Sequence, residues 1–232
     1  MTPLATVGGP AQAGGARDAA LSAPLAAIEL YGRTLELAQD ATTVRSSDGR
    51  TWPLPAGRYL GPLAAADEDV LSRATAPVLD VGCGPGRHVL ALAKRGSLAL
   101  GVDVSPVAVR IARERGAPVR QASVFDHIPG AGTWGSALLL DGNIGIGGRP
   151  TALLARLARL LRPGGVVLAE VDADDMPSGS TRIRLEAGDA ISDWFRWAHV
   201  GADAIGEHAS EAGLAVCDTW EVEGRWFASL LR

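Results

Sequence analysis

Val78-Leu79-Asp80-Val81-Gly82-Cys83-Gly84-Pro85-Gly86-Arg87-His88 constrains this chain more than any other stretch. The apolar run Val78 to Val81, carrying an acid at Asp80, reads as a buried parallel strand. Glycines at alternate positions, Gly82, Gly84 and Gly86, then form a tight loop, and Leu90, Leu92 and Ala93 resume with helical spacing. Strand, glycine turn and helix start together make a nucleotide-cofactor loop. Glycine lets the backbone approach a ligand closely, and the first N–H groups of a helix are unpaired. The dinucleotide fingerprint G-x-G-x-x-G would put its third glycine at Arg87, whereas this chain reads G-x-G-x-G behind Asp80.

That string, D-V-G-C-G-P-G, resembles motif I of the class I (Rossmann-like) S-adenosylmethionine-dependent methyltransferases. Leu98 to Ser105 supplies a second strand ending in an acid, Asp103. Both this family and the dinucleotide enzymes place a ribose-binding carboxylate there, so the glycine spacing separates them and Asp103 does not. Leu161-Arg162-Pro163-Gly164-Gly165, read as a turn, and the strand Val166 to Val171 are also similar to the family. The resemblance spans residues 76–231. It implies an α/β fold with a doubly wound, mostly parallel seven-stranded sheet, a C-terminal antiparallel hairpin (Leu214–Trp220 and Arg225–Leu231), and an N-terminal helical and hairpin extension. It further implies S-adenosyl-L-methionine as cofactor, held by Asp80, Gly82, Cys83, Gly84, Gly86, Asp103, Val104, Ser123, Val124 and Asp141. Ser123 departs from the family pattern, which carries an acid after the third strand.

Length and composition fit one α/β domain with decoration: 232 residues, 47% hydrophobic. Residues 1–20 are expected to be a disordered tail, 21–75 a cap, and 76–232 the cofactor-binding domain. The net charge of −4 lacks the basic footprint of nucleic-acid binding. Lys94 is the only lysine, and the Ala-, Gly- and Arg-rich composition suits a GC-rich bacterial genome. Cys83 and Cys217 are the only cysteines, and one lies in the cofactor loop, so no disulfide and a reducing cytoplasm are expected. No run reaches the roughly 18 apolar residues of a membrane span, and no signal peptide is expected. Asp172, Asp174 and Asp175 read as a solvated loop, with no metal site. A monomer or homodimer is expected.

Ahead of the first strand, Leu21–Ala38 suggests one or two helices and Thr42–Leu54 a hairpin turning at Ser47-Asp48-Gly49. Tyr31, Trp52, Arg58 and Tyr59 lie in this extension; Tyr31 and Tyr59 are candidate substrate contacts, against the alternative that such aromatics merely cover the core edge. Trp134–Leu140 reads as the fourth strand, running into a glycine-rich loop with Asp141 and Asn143. Ligands of open α/β sheets bind beyond the carboxyl ends of the strands. Asp141 is therefore a candidate catalytic residue and Asn143 a substrate contact. Trp197 is another substrate contact, and His199 the candidate base, unless it simply packs beside tryptophans. The expected activity is methyl transfer to a small-molecule acceptor, at oxygen or nitrogen ahead of carbon. An NAD-dependent reductase and a non-catalytic S-adenosylmethionine-binding protein are the alternatives.

Overall fold

The computed structural model describes residues 25–38, 41–173 and 177–232. The expected tail, 1–20, and Asp174 and Asp175 lie outside them. The described chain opens with α1 (Ala27–Leu37), the hairpin β1 (Thr43–Ser46) and β2 (Thr51–Pro53), then α2 (Ala56–Leu60) and α3 (Ala65–Ser72). There follow β3 (Val78–Val81), α4 (Arg87–Lys94), β4 (Ala99–Asp103), α5 (Pro106–Glu114), β5 (Val119–Gln121), β6 (Trp134–Leu139) and α6 (Pro150–Leu160). The remainder is β7 (Leu161–Val171), β8 (Gly179–Ala187), β9 (Ala190–Ile191), β10 (Phe195–His199), α7 (Ile205–Glu211), β11 (Ala215–Val222) and β12 (Arg225–Leu231).

Seven strands form one sheet in the order β11-β12-β7-β6-β3-β4-β5, with β12 antiparallel to both β7 and β11 and the rest parallel. This is the expected doubly wound sheet with its closing hairpin. Its parallel centre is buried on both faces, and β3 and β6 accordingly bury every residue. Leu153, Leu154, Leu157 and Leu160, at helical spacing on α6, are fully buried against it. Ser105 caps α5, its hydroxyl accepting the Ala108 N–H at 3.2 Å, with Pro106 in the first helical position. The sheet order reverses at β3, between β6 and β4, which opens a crevice beyond the carboxyl ends of these strands.

Two features differ from the sequence reading. Leu161–Gly165 is no simple turn: Leu161 already pairs with Trp134, residues 162–165 swing out, and Val166 rejoins β6 at Ser136. The second is a smaller sheet, β10-β8-β1-β2 with β9 on the edge of β8, which joins the N-terminal hairpin to residues 179–199. The cap thus draws on both sides of the expected boundary at 75/76. Its inner face is Leu30, Val44, Ile183 and Leu185, all buried. The alternation Arg182-Ile183-Arg184-Leu185-Glu186 carries the period-2 signal that marks this strand. Among the described residues no helix is long and apolar enough to cross a membrane.

Candidate active site

Between the two sheets lies a cavity of about 560 Å³, floored by the glycine loop and the ends of β4 and β6 and roofed by α1 and the small sheet. That size suits a cofactor with a small substrate. Gly84 sits at φ 52°, and a Cβ there would lie 3.0 Å from the Tyr31 hydroxyl. The left-handed backbone and the close approach of α1 both require glycine. The Gly84 N–H donates to Asp103 Oδ2 and the Ser105 N–H to Oδ1, each at 2.8 Å. Each carboxylate oxygen keeps a second acceptor site for a ligand hydroxyl. Burial raises the Asp103 pKa, only partly offset by backbone donors from Ser105, Gly84 and Val104. Burial likewise pushes the Cys83 thiol up, making it a packing group.

Val104, Ala122, Ser123 and Val124 line the same side as Asp103. The Ser123 hydroxyl accepts the Phe125 N–H at 3.2 Å, so it also caps its own turn. Asn143 lines the cavity, but its side-chain amide donates to Val81 O (2.9 Å) and Gly82 O (3.0 Å). It braces the loop end of β3. Gly86 is not on the cavity wall: a Cβ there would meet Ala112 and Ala117 at 3.0 Å, so this glycine serves helix packing.

Asp80 is also off the wall. It is 1% exposed, with Oδ2 lacking a hydrogen-bond partner among the described residues and His88 Nδ1 3.8 Å away. Burial pushes its pKa up to about 6, with Asp141 and Asp103 adding and His88 and Arg87 opposing. Between pH of about 4 and 6 the folded state therefore holds a proton that the unfolded chain has lost, and stability falls as pH rises. Asp80→Asn is expected to flatten that limb and to gain on the order of 3 kcal/mol above pH 6. Urea midpoints from pH 4 to 8 check this; an unchanged profile would refute it.

Asp141 proves to be part of a buried ionic network. Its Oδ1 accepts from Arg58 at 2.6 Å and both oxygens accept from Arg87 at 2.9 Å. Arg87 also pairs with Asp67; Arg225 holds Asp67 at 2.7 Å and Glu170 bidentately at 2.8 and 2.7 Å. Burial alone would raise the Asp141 pKa, but the charges of His88, Arg87 and Arg58 bring it below the usual carboxylate range. An anion so held is a weak base. The expected catalytic role therefore gives way to anchoring, since the guanidinium groups occupy its lone pairs. Asp141 itself has φ 57°, a strained conformation at the cavity edge. Burial makes the Tyr31 and Tyr59 hydroxyls harder to ionise, so both line the cavity as neutral donors.

His199 ends β10 on the opposite wall. Its Nδ1 lies 3.3 Å from Asp172 Oδ2, and its buried Nε2 has no hydrogen-bond partner among the described residues. Asp172 also accepts the Val200 N–H at 3.2 Å, which fixes the carboxylate. A carboxylate on Nδ1–H sets the tautomer and leaves the Nε2 lone pair as the base. Trp52 meets the imidazole edge-on at 5.3 Å, and Trp197 stands beside it on β10. Asp172 was expected in a solvated loop; its bridge to Gly201 and its hydrogen bonds bring it to the wall instead. Arg87 and Glu170, also on the wall, escaped the sequence reading because their partners lie far away in the chain. Among the described residues no cluster suited to a metal ion is present.

Comparison with known proteins agrees with this arrangement. Residues 78–165 match the methyltransferase domain family. Trans-aconitate 2-methyltransferase of Paracidovorax citrulli (strain AAC00-1) is 32% identical over 170 residues, which are 72% of this chain and 58% of that protein. The chain thus spans less than two thirds of this curated relative. A SAM-dependent methyltransferase from Bacteroides fragilis, solved with S-adenosyl-L-homocysteine, superposes with a TM-score of 0.71 at 24% identity, covering 90% of this chain and 97% of that one. The 1,6-didemethyltoxoflavin-N1-methyltransferase of Burkholderia thailandensis gives a TM-score of 0.54 at 21% identity, over 94% and 98%. The glycine spacing, the sheet with its closing hairpin and the family match agree: residues 78–165 match the methyltransferase domain family, and the chain has the Rossmann-like fold of the class I methyltransferases.

Proposed function

We propose that this protein is an S-adenosylmethionine-dependent methyltransferase acting at oxygen or nitrogen of a small molecule. The observation that carries the reading is one cavity lined by both Asp103 and His199, whose buried Nε2 has no hydrogen-bond partner among the described residues. The residues present fit the cofactor. Asp103 keeps free acceptor sites for ribose hydroxyls, and Val104, Val124 and Ala122 offer apolar faces for the base beside them. Bound there, S-adenosylmethionine would supply an activated methyl on its sulfonium and be left as S-adenosylhomocysteine. The protein's own work is to align, to exclude water and to move a proton. Nε2 of His199 takes the acceptor's proton, and Asp172 steadies the imidazolium so formed. The small sheet and α1 cover the cavity on one side. The curated relative's named substrate, trans-aconitate, is likewise a small molecule.

Removing the Asp103 carboxylate tests the cofactor assignment. Hydrogen bonds to a charged group are worth about 1.5–3 kcal/mol each, so Asp103→Ala is expected to weaken S-adenosylhomocysteine binding roughly ten- to hundredfold. Calorimetry on folded variant and parent, with NADH as a parallel titrant, reads this. Equal affinity in both, or binding of NADH alone, would refute the assignment.

A further inference from the structure

The acceptor half of the cavity has a chemistry of its own, and the inference below rests on the methyltransferase reading. The chain has six tryptophans, two tyrosines and three phenylalanines, and five of these side chains line this one cavity: Tyr31, Trp52, Tyr59, Phe195 and Trp197. Phe195 and Trp197 stand at 86° to one another with ring centres 6.1 Å apart, and Trp52 meets His199 at 77°. Val44, Leu54, Ile183 and Leu185 fill the wall between them. The small sheet therefore presents an apolar, largely aromatic surface, and just behind it the buried Nε2 of His199 has no hydrogen-bond partner among the described residues.

Charge on the wall is equally informative. Among the described residues the lining carries four carboxylates, of which Asp141 and Glu170 are already neutralised by Arg58, Arg87 and Arg225, leaving Asp103 and Asp172 without a guanidinium. Arg87 is 5% exposed and already spent on Asp67 and Asp141. On the His199 side the charged lining residue is Asp172, with no lysine or arginine beside it, so an acceptor carboxylate or phosphate there would be desolvated beside a like charge. A flat, uncharged ring loses little on desolvation and gains offset or edge-on contacts with each aromatic wall.

We infer that the acceptor is an uncharged aromatic or heteroaromatic molecule bearing an O–H or N–H, gripped by the Trp52, Phe195 and Trp197 walls and presenting that proton to His199 Nε2. Polycarboxylates of the kind named for the curated relative are excluded by the same wall. His199 makes such an acceptor nucleophilic only as it reacts, so no permanent negative charge has to be buried.

The test uses the full chain and begins with calorimetric titration of S-adenosylhomocysteine; absence of binding there would overturn the cofactor reading itself, and this inference with it. With S-adenosylhomocysteine saturating, three probes follow: 2-naphthol, 2-naphthoate as its anionic counterpart of similar shape, and trans-aconitate. The expected order is 2-naphthol at least tenfold tighter than 2-naphthoate, with no heat from trans-aconitate. Trp52→Leu and Phe195→Leu are each expected to weaken 2-naphthol at least fivefold and to leave S-adenosylhomocysteine affinity unchanged. Tighter binding of either anion, or no binding of 2-naphthol by a protein that binds S-adenosylhomocysteine, would overturn the inference while leaving the cofactor assignment standing. So would 2-naphthol affinity indifferent to both variants.

Discussion

His199→Ala is expected to lower kcat by roughly 10²–10⁴-fold, the usual contribution of a positioned base, while S-adenosylhomocysteine affinity stays at the parent value. The reason is geometric. The imidazole is buried against Trp52 with Nδ1 turned to Asp172, so the lone pair left for chemistry is on Nε2. Asp172→Asn supplies the companion measurement. Asp172 acts through His199 as a positioning residue, so its loss should lower kcat and leave the acceptor KM nearly unchanged. A merely structural role would instead raise KM and lower the thermal midpoint together. Parent-level turnover in His199→Ala would return the histidine to a packing role and leave methyl transfer to an acceptor that needs no base.

The second large effect is on stability. Arg87→Met should cost roughly 3–5 kcal/mol, because it removes the buried cation that two carboxylates share and leaves Asp67 to Arg225 and Asp141 to Arg58. Arg87 is 5% exposed, joins Asp67 on α3 to Asp141 beyond β6, and Asp67 in turn holds Arg225 of β12. Hydrogen bonds from His88, Arg87 and Arg225 offset the burial of Asp67 and bring its pKa well below the usual carboxylate range. A depressed carboxylate contributes stability that is present above its unfolded pKa and is lost as pH falls through the folded value. That limb is opposite in sign to the one from Asp80. Urea unfolding measures the loss, and pairing Arg87→Met with Asp67→Leu should recover part of it through the coupling of the two residues. Additive losses in the double variant would show that the pair is not coupled.

What could be read in the sequence was what is contiguous in it. Val78 to His88 holds strand, glycine turn and helix start within one stretch, and Asp103 closes the neighbouring strand; Val81 to Pro85 and Asp103 line the cavity, while Asp80 and Gly86 lie behind its wall. The leucines of α6 and the Ser105 cap follow local rules of spacing and hydrogen bonding, which survive without tertiary context. Contacts between distant segments were hidden. Asp67 and Arg225 are 158 positions apart, and nothing near either announces the other. Asp141 and Asn143 reached the cavity edge as read, but their side chains were spoken for by Arg58, Arg87 and the β3 backbone. Asp172 was misjudged because its environment comes from β10, not from its own loop.

The small sheet has a further consequence, for the order in which the molecule takes shape. Ser46 on β1 bonds Thr181 on β8, a separation of 135 residues. During synthesis the hairpin β1–β2 must therefore wait, with the edge that will receive β8 unpaired, until the whole parallel half of the large sheet has been made. An open edge of that kind invites pairing with other chains. Arg45, which later pairs with Glu186 across the β1–β8 seam, puts a positive charge on that waiting edge. The roof of the active site is a late piece of the fold to close, and Arg45 guards it against pairing with a neighbouring nascent chain.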